Sequence, residues 1–215
     1  MKHLVTPLRL VLLGVLLAAV VVGFVLLPAD ATLPIHWNAA GEADGFAPRN
    51  VALLWPLAVT ALIWALFVLI GRFARPEKVR GGTHLSGAVL TGLTALFALI
   101  AIVTVLIGLG RDVEMVRAIG FALSLLLLVM GNALPKSQPN SVAGLRIPTT
   151  MRDPANWQAT HRFTGWLCIG GGLLLLAAAA FAPAASLIWI LLVCVIAPML
   201  AGTLYSLAYA RRAHS

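Results

Sequence analysis

Charged residues are scarce in this chain, and none of them falls in the middle of its long apolar stretches. Of 215 residues, 10% are charged and 61% are hydrophobic, and the mean hydropathy is +1.00. A soluble domain carries about 25% charged residues, and a soluble fold of this length could not bury so much apolar surface. The composition therefore excludes a water-soluble globular protein and predicts a protein whose solvent is lipid.

The missing intramembrane charges also narrow the function. Proton relays and ion pathways usually depend on ionisable residues inside the membrane, so their absence argues against an ion-coupled pump. The chain also has only two cysteines, Cys168 and Cys194, which lie in apolar runs without a CxxC pattern. We interpret them as packing residues. We expect neither a metal nor another cofactor.

Uncharged stretches of about 20 residues are long enough to cross about 30 Å of hydrocarbon. The chain has four such stretches and a longer final one, 163–210, which Pro183 divides. The sequence therefore predicts an all-α, polytopic membrane protein with six transmembrane helices. We expect these helices at 10–29, 50–71, 81–110, 118–135, 163–182 and 186–209.

The first stretch also has features of a signal peptide. Ala29-Asp30-Ala31 follows it and resembles a cleavage site. The apolar run is, however, longer than the usual signal-peptide core of about 7–15 residues. We therefore expect the first helix to be retained.

The basic residues give the chain a direction. With six spans, three of the 15 Lys and Arg residues (Arg49, Arg111 and Arg117) fall on one side, leaving 15 − 3 = 12 on the other. Cytoplasmic loops carry the excess of Lys and Arg, so we predict that both termini are cytoplasmic. The basic residues that give the net charge of +8 are then explained by their role in orienting the helices in the membrane. We therefore expect no direct binding to nucleic acid.

One long external connection, residues 28–50, is rich in turn-forming and aromatic residues. Two interpretations remain open: a folded connector that caps the first two spans, or a surface that meets an external ligand. Gly41 and Gly45 are expected to permit tight turns. A metal held by His36, Glu42 and Asp44 follows no known spacing rule. The candidate ligand-binding residues are His36, Trp37, Asn38, Gly41, Glu42, Asp44 and Gly45.

The second informative segment, residues 131–165, is cytoplasmic. Its prolines and Gly144 predict an ordered, non-helical path, and Asp153-Pro154 predicts a helix start that runs on into span five. On that helix, residues three and four apart share one face that suits close helix packing: Trp157, His161, Gly165, Cys168 and Gly172. The candidate partner-binding residues are Asn132, Asn140, Gly144, Arg146, Trp157, His161 and Arg162.

His161 is the obvious candidate for catalysis in this segment. No nucleophile, base and orienting group occur together around it in the sequence. A packed, hydrogen-bonded histidine is therefore the better interpretation. We expect that the protein is not an enzyme.

These two segments together resemble a known family. Gly131-Asn132-x-x-Pro135-Lys136-x-x-Pro139-Asn140-x-x-x-Gly144-x-Arg146-x-Pro148, followed by Trp157-x-x-Thr160-His161-Arg162-x-x-Gly165, is similar to the signature of the SdpI family. Leu33-Pro34-Ile35-His36-Trp37-Asn38 with Gly41-Glu42-x-Asp44-Gly45 resembles the uncharacterised domain that often precedes it. The resemblance suggests two units, a two-span unit at 1–80 and a four-span unit at 81–215.

Two positions depart from the family pattern. Family members often have Trp where this chain has Thr149, and Pro where it has Ala43. These departures bear more on a shared partner than on the fold.

The resemblance implies a location and a function. SdpI-family proteins are multi-pass proteins of the bacterial cytoplasmic membrane, named for immunity to a secreted peptide toxin. A member is also thought to hold a regulator at the membrane when toxin is present. We therefore expect an external peptide toxin and a cytoplasmic regulator as partners, besides the lipid bilayer. The alternative is a small transporter or lipid-binding protein without a toxin partner.

Overall fold

The computed structural model describes residues 4–212, and within that range six helices are long and apolar enough to cross a membrane. The expectation of an all-α, polytopic membrane protein is therefore confirmed. The chain forms α1 (Pro7–Leu26), β1 (Thr32–Trp37), β2 (Ala43–Pro48), α2 (Arg49–Phe73), α3 (Pro76–Val79), α4 (Thr83–Gly108), α5 (Met115–Ala133), α6 (Pro148–Arg152), α7 (Pro154–Phe181) and α8 (Ala184–Arg212). Short 3₁₀ turns cover Arg80–Gly82 and Leu134–Lys136.

Most helix ends fall within a few residues of the predicted ones. Asp153 caps α7 as predicted, with its carboxylate accepting from the amide of Ala155 at 2.8 Å. The turn at Pro183 also separates α7 from α8 as predicted. The first span begins earlier than the predicted residue 10, because Thr6 accepts from the amide of Arg9 and caps α1, and Pro7 occupies the first turn.

Arg9 therefore lies inside α1, although the predicted span leaves it in the preceding loop. Its side chain is 6% exposed. It donates to Thr91 Oγ1, Gly87 O and Leu4 O, each at 2.8 Å. The guanidinium thus joins α1 to α4, and its charge is buried against polar atoms, as a buried charge requires.

The connection that we predict to be external contains a β-hairpin, which the sequence pattern did not indicate. β1 pairs with β2 in antiparallel register from Thr32↔Pro48 to Trp37↔Ala43, with irregularities on both sides of His36. The pattern is too short and too interrupted by Pro and Gly to read as alternating strands.

Two groups of helices meet along α4 and α5. α4 packs against α1 and α2, α5 packs against α7 and α8, and α4 also packs against α5. One buried cluster, built on Leu127, Cys168, Leu175 and Cys194, fills the space between α5, α7 and α8. Both cysteines are thus packing residues with free thiols.

The closest helix contact is between α5 and α7. A Cβ added at Gly131 would lie 2.7 Å from Gly165 O, and one added at Gly165 would lie 2.7 Å from Gly131 O. The two backbones therefore touch, as small residues allow in lipid. All five residues of the predicted α7 face are buried, which confirms that face.

The predicted orientation can be tested by labelling with a membrane-impermeant maleimide. Ala43→Cys lies on the exposed hairpin and should react in intact cells. Arg152→Cys should react only after permeabilisation, because we place it in the cytoplasm. The unmodified chain is the control, since Cys168 and Cys194 are buried. Labelling of Arg152→Cys in intact cells would contradict the predicted orientation and support the opposite one.

The α5–α7 contact gives a second prediction. Gly165→Ala should lower the midpoint of thermal unfolding in detergent, because overpacking costs about 1–3 kcal/mol. Gly170→Ala is the matched control: it lies on the same helix with nothing within 4 Å of the added Cβ. Alanine there should be neutral or slightly stabilising. Equal midpoints for the two variants would refute a backbone contact that excludes a side chain.

Candidate functional site

The external hairpin is closed by a turn built around Asn38. Its side-chain oxygen accepts from the amides of Ala40 at 2.9 Å and Glu42 at 3.0 Å. Gly41 has a φ of +85°, in the region that favours glycine, so its predicted role in a turn is confirmed. Asn38 Nδ2 also donates to the carboxylate of Glu42 at 3.2 Å. Three of the candidate residues thus hold the turn itself.

Gly45 has another role than the turn predicted for it. It lies within β2, opposite His36, and a Cβ there would come within 2.8 Å of His36 Cβ. Glycine is therefore required for strand approach. Beside it, His36 Nδ1 contacts Asp44 Oδ1 at 2.5 Å, and these side chains are 70% and 43% exposed. Within residues 4–212 no three His, Cys, Asp or Glu side chains group as a metal site would need.

The hairpin has a buried side and an exposed side. Leu33 is buried with Leu27, Leu53 and Val105, and Trp37 packs on the edge of the α5–α7–α8 cluster. Two other apolar side chains of the hairpin, Ile35 and Phe46, show 47% and 59% of their surface. Both interpretations of the connection are thus compatible with one structure: it caps the helices and presents an apolar outer surface.

Two of the three basic residues on this side serve the fold. Arg49 donates to Leu27 O at 2.7 Å and lies over the Phe24 ring at 5.2 Å. Arg117 donates to Ala179 O at 2.6 Å. Each guanidinium thus satisfies carbonyl groups at a helix C-terminus, where positive charge is favourable.

At the end of the helices that we predict to be cytoplasmic, residues 137–147 lie over the start of α7. The ring of Trp157 stacks on that of His161, with centroids 4.1 Å apart, and both side chains are fully buried. Trp157 Nε1 donates to Ser137 O at 3.2 Å. Gly144 has a φ of +111° and contacts both rings, so a side chain there would collide with His161.

Both ring nitrogens of His161 are engaged by the backbone. The amide of Leu145 donates to Nε2 at 3.0 Å. Nε2 must therefore be the acceptor, and Nδ1 carries the proton that it donates to Trp157 O at 2.8 Å. His161 is thus a neutral support for the overlying segment. It has no nitrogen available for proton transfer to a substrate, in agreement with the interpretation of a packed histidine.

Asn140 fixes the other end of this segment. Its oxygen accepts from the amides of Val142 and Ala143, each at 2.8 Å, and its nitrogen donates to Gln138 O at 2.8 Å. Backbone bonds then tie the segment to the α2–α4 connection, from Gln138 N to Gly81 O (2.9 Å) and from Ser141 N to Lys78 O (2.8 Å). The segment is therefore held from both sides.

A buried polar network joins α6, α7 and α8, and the sequence analysis missed it. Asn156 Nδ2 donates to Ser206 O at 3.1 Å, and its oxygen accepts from Ser206 Oγ and Thr160 Oγ1, each at 2.9 Å. Thr149 of α6 pairs with Ser206 Oγ at 2.7 Å. The available signal was the spacing of Asn156 and Thr160, four residues apart on the buried face of α7.

The candidate cytoplasmic residues thus separate into two sets. Asn140, Trp157 and His161 are buried, and in this conformation they support the surface without reaching a partner. Gly144 is exposed in the turn, and the exposed side chains are Asn132, Arg146 and Arg162. Asn132 also accepts from Lys136 Nζ at 2.9 Å.

Comparison with known proteins supports the resemblance from both ends of the chain. Residues 136–206 match the SdpI/YfhL protein family, and residues 11–60 match a domain of unknown function, DUF1648. A curated relative, "Immunity protein SdpI" of Bacillus subtilis (strain 168), is 24% identical over 180 residues, covering 84% of each chain. No solved structure matches the chain. The two matches lie in the order that the two signatures predict, with the match to DUF1648 preceding the match to the SdpI/YfhL family in this multi-pass membrane protein.

Proposed function

We propose that this chain is an immunity protein of the bacterial cytoplasmic membrane that protects its cell against an external peptide toxin. The observation that carries the proposal is the relative named for immunity, aligned over 84% of both chains. The family matches at residues 11–60 and 136–206 cover the hairpin and most of the segment 131–165. We propose that these two surfaces belong to one device.

The external hairpin is the surface we propose for the toxin. Its turn is held by Asn38, so its shape is largely formed before a ligand arrives. Ile35 and Phe46 are exposed beside the His36–Asp44 pair, which gives apolar and polar contacts close to the bilayer. A membrane-active peptide carries both kinds of surface and meets the protein at this height.

The cytoplasmic surface is the one we propose for a regulator. Arg146 and Arg162 are exposed there, with Arg152 between them in sequence. These cations suit a partner with an acidic patch, which they would attract electrostatically. The buried Trp157–His161 stack determines where the Arg146 backbone lies, because Leu145 bonds to His161.

Helix α8 offers a physical link between these surfaces. At its external start, Ala184 lies against Gly41 of the hairpin turn, 3.6 Å from a Cβ built there. Near its cytoplasmic end, Ser206 bonds to Asn156 and Thr149. A ligand that displaces the turn would therefore act on the bonds of α6. Coupling of this kind requires two states that the ligand binds unequally.

The toxin proposal predicts a loss of protection from changes on the hairpin. Deleting the gene from its host should sensitise the cells to peptides secreted by the undeleted parent. Wild-type protein should restore resistance, whereas Ile35→Ser with Phe46→Ser should restore about tenfold less, since apolar anchors dominate interfaces. The measurement is the inhibitory concentration at equal protein level in the membrane.

Ala39→Ser is the matched control, because it lies exposed in the hairpin turn without an apolar anchor. It should protect as well as the wild type. Unchanged sensitivity after deletion, and after expression in a Bacillus subtilis strain lacking its own SdpI, would contradict the toxin proposal.

The regulator proposal predicts a different result for exposed and buried residues. Arg146→Gln with Arg162→Gln should abolish toxin-dependent capture of a cytoplasmic protein and leave the unfolding midpoint unchanged. His161→Phe, by contrast, should lower the unfolding midpoint. The buried Leu145 amide loses its hydrogen-bond acceptor, which costs about 1–3 kcal/mol of stability. Capture is measured by affinity purification from membranes, with and without toxin.

Capture that is the same with and without toxin would count against signalling. So would a charge variant that captures the same protein as the wild type.

A further inference from the structure

Three cationic side chains surround a depression on the cytoplasmic face that the proposed function does not use as a unit. Arg75 and Lys78 come from the α2–α4 connection, and Arg146 comes from the segment over α7. All three are exposed. Their relative placement is fixed, because Ser141 N donates to Lys78 O at 2.8 Å across the depression.

The positive charge of this depression is not balanced locally. The ion pairs described within residues 4–212, His36–Asp44 and Arg117–Glu114, lie on the opposite side of the membrane. Glu77 is the acidic residue of the α2–α4 connection, set against Arg75, Lys78 and Arg80. An anion would therefore be attracted to this position.

The floor of the depression is apolar and leads inward. Ile70, Ala74 and Val142 line both the depression and an adjoining cavity of about 240 Å³. Most of the further lining of that cavity is apolar as well, including Leu4, Phe67 and Val79.

A second cavity continues the first one. It has a volume of about 220 Å³ and shares Phe67 and Val142 with the first. It reaches Met130 on α5 and Met199 on α8, beneath residues 142–145. The whole feature is a cationic mouth at the membrane surface above an apolar groove between α2 and α8.

We propose that this feature binds one anionic phospholipid, with its phosphate at Arg75, Lys78 and Arg146 and an acyl chain in the groove. Cations at the cytoplasmic membrane surface attract anionic lipids. A free phosphate would contact the cationic mouth but would leave the groove empty. A neutral lipid would fill the groove but would not pair with the cations. The combination selects a molecule with both parts.

The site bears on the cytoplasmic segment directly. Val142 and Arg146 belong both to the lipid site and to the segment that rests on His161. A bound lipid would therefore hold that segment against α2. The proposal is independent of a toxin, because it depends on the groove and the cations alone.

Binding can be measured on the full chain, purified in detergent and stripped of lipid. We expect native mass spectrometry to detect one bound dioleoyl phosphatidylglycerol at concentrations where dioleoyl phosphatidylcholine does not bind. Arg75→Gln with Lys78→Gln and Arg146→Gln should weaken that binding by at least about tenfold, since each nearby cation contributes about fivefold. Arg152→Gln with Lys136→Gln and Arg211→Gln is the matched control and should bind as the wild type does, because these exposed cations lie outside the depression.

Two further arms separate the parts of the site. Val142→Phe keeps the cations but fills the groove, and it should also weaken phosphatidylglycerol binding. Glycerol 3-phosphate at an equal concentration should not displace the lipid. The proposal is overturned by equal binding of both lipids, by equal losses in the two triple variants, by unchanged binding in Val142→Phe, or by displacement with glycerol 3-phosphate.

Discussion

The backbone contact between Gly131 and Gly165 determines the path of the segment that follows α5. Because α5 and α7 touch without intervening side chains, the chain leaves α5 directly against α7. Pro135 then packs on Gly165, and the following residues run over the first turns of α7. Trp157 and His161 lie under that course, so they become supports of the segment. A larger residue at either glycine would move the segment as well as the helices.

A second constraint is that polar backbone groups near lipid must find partners within the protein. The chain meets it with side chains at the places where helices end. Arg49 and Arg117 satisfy carbonyls at two external helix ends, and His161 accepts the amide of Leu145 inside. Several residues that look functional in the sequence are thus committed to structure. Other side chains stay exposed: Ile35 and Phe46 on the hairpin, and Arg146 and Arg162 at the opposite end of the helices.

The sequence predicted the spans well because the hydrocarbon thickness sets a length that apolar runs must match. It predicted the buried face of α7 because helical periodicity brings Trp157, His161 and Gly165 together. It could not predict the hairpin, whose Pro34 and Gly45 interrupt any alternating pattern. Nor could it divide the cytoplasmic candidates into supports and exposed residues. That division depends on how residues 137–147 pack, which no local pattern in the sequence encodes.

The polar network around Ser206 depends on Thr149 and Asn156 to different extents. Thr149 is one of the two departures from the family pattern noted above, where the pattern has Trp, and its hydroxyl bonds to Ser206. A Trp would remove that hydroxyl from the network. Ser206 Oγ would still donate to Asn156, so the link between α7 and α8 would persist while the link to α6 was lost. In this chain, therefore, α6 is tied to α8 by the hydrogen bond between Thr149 and Ser206, and a larger residue at position 149 would release α6 from α8.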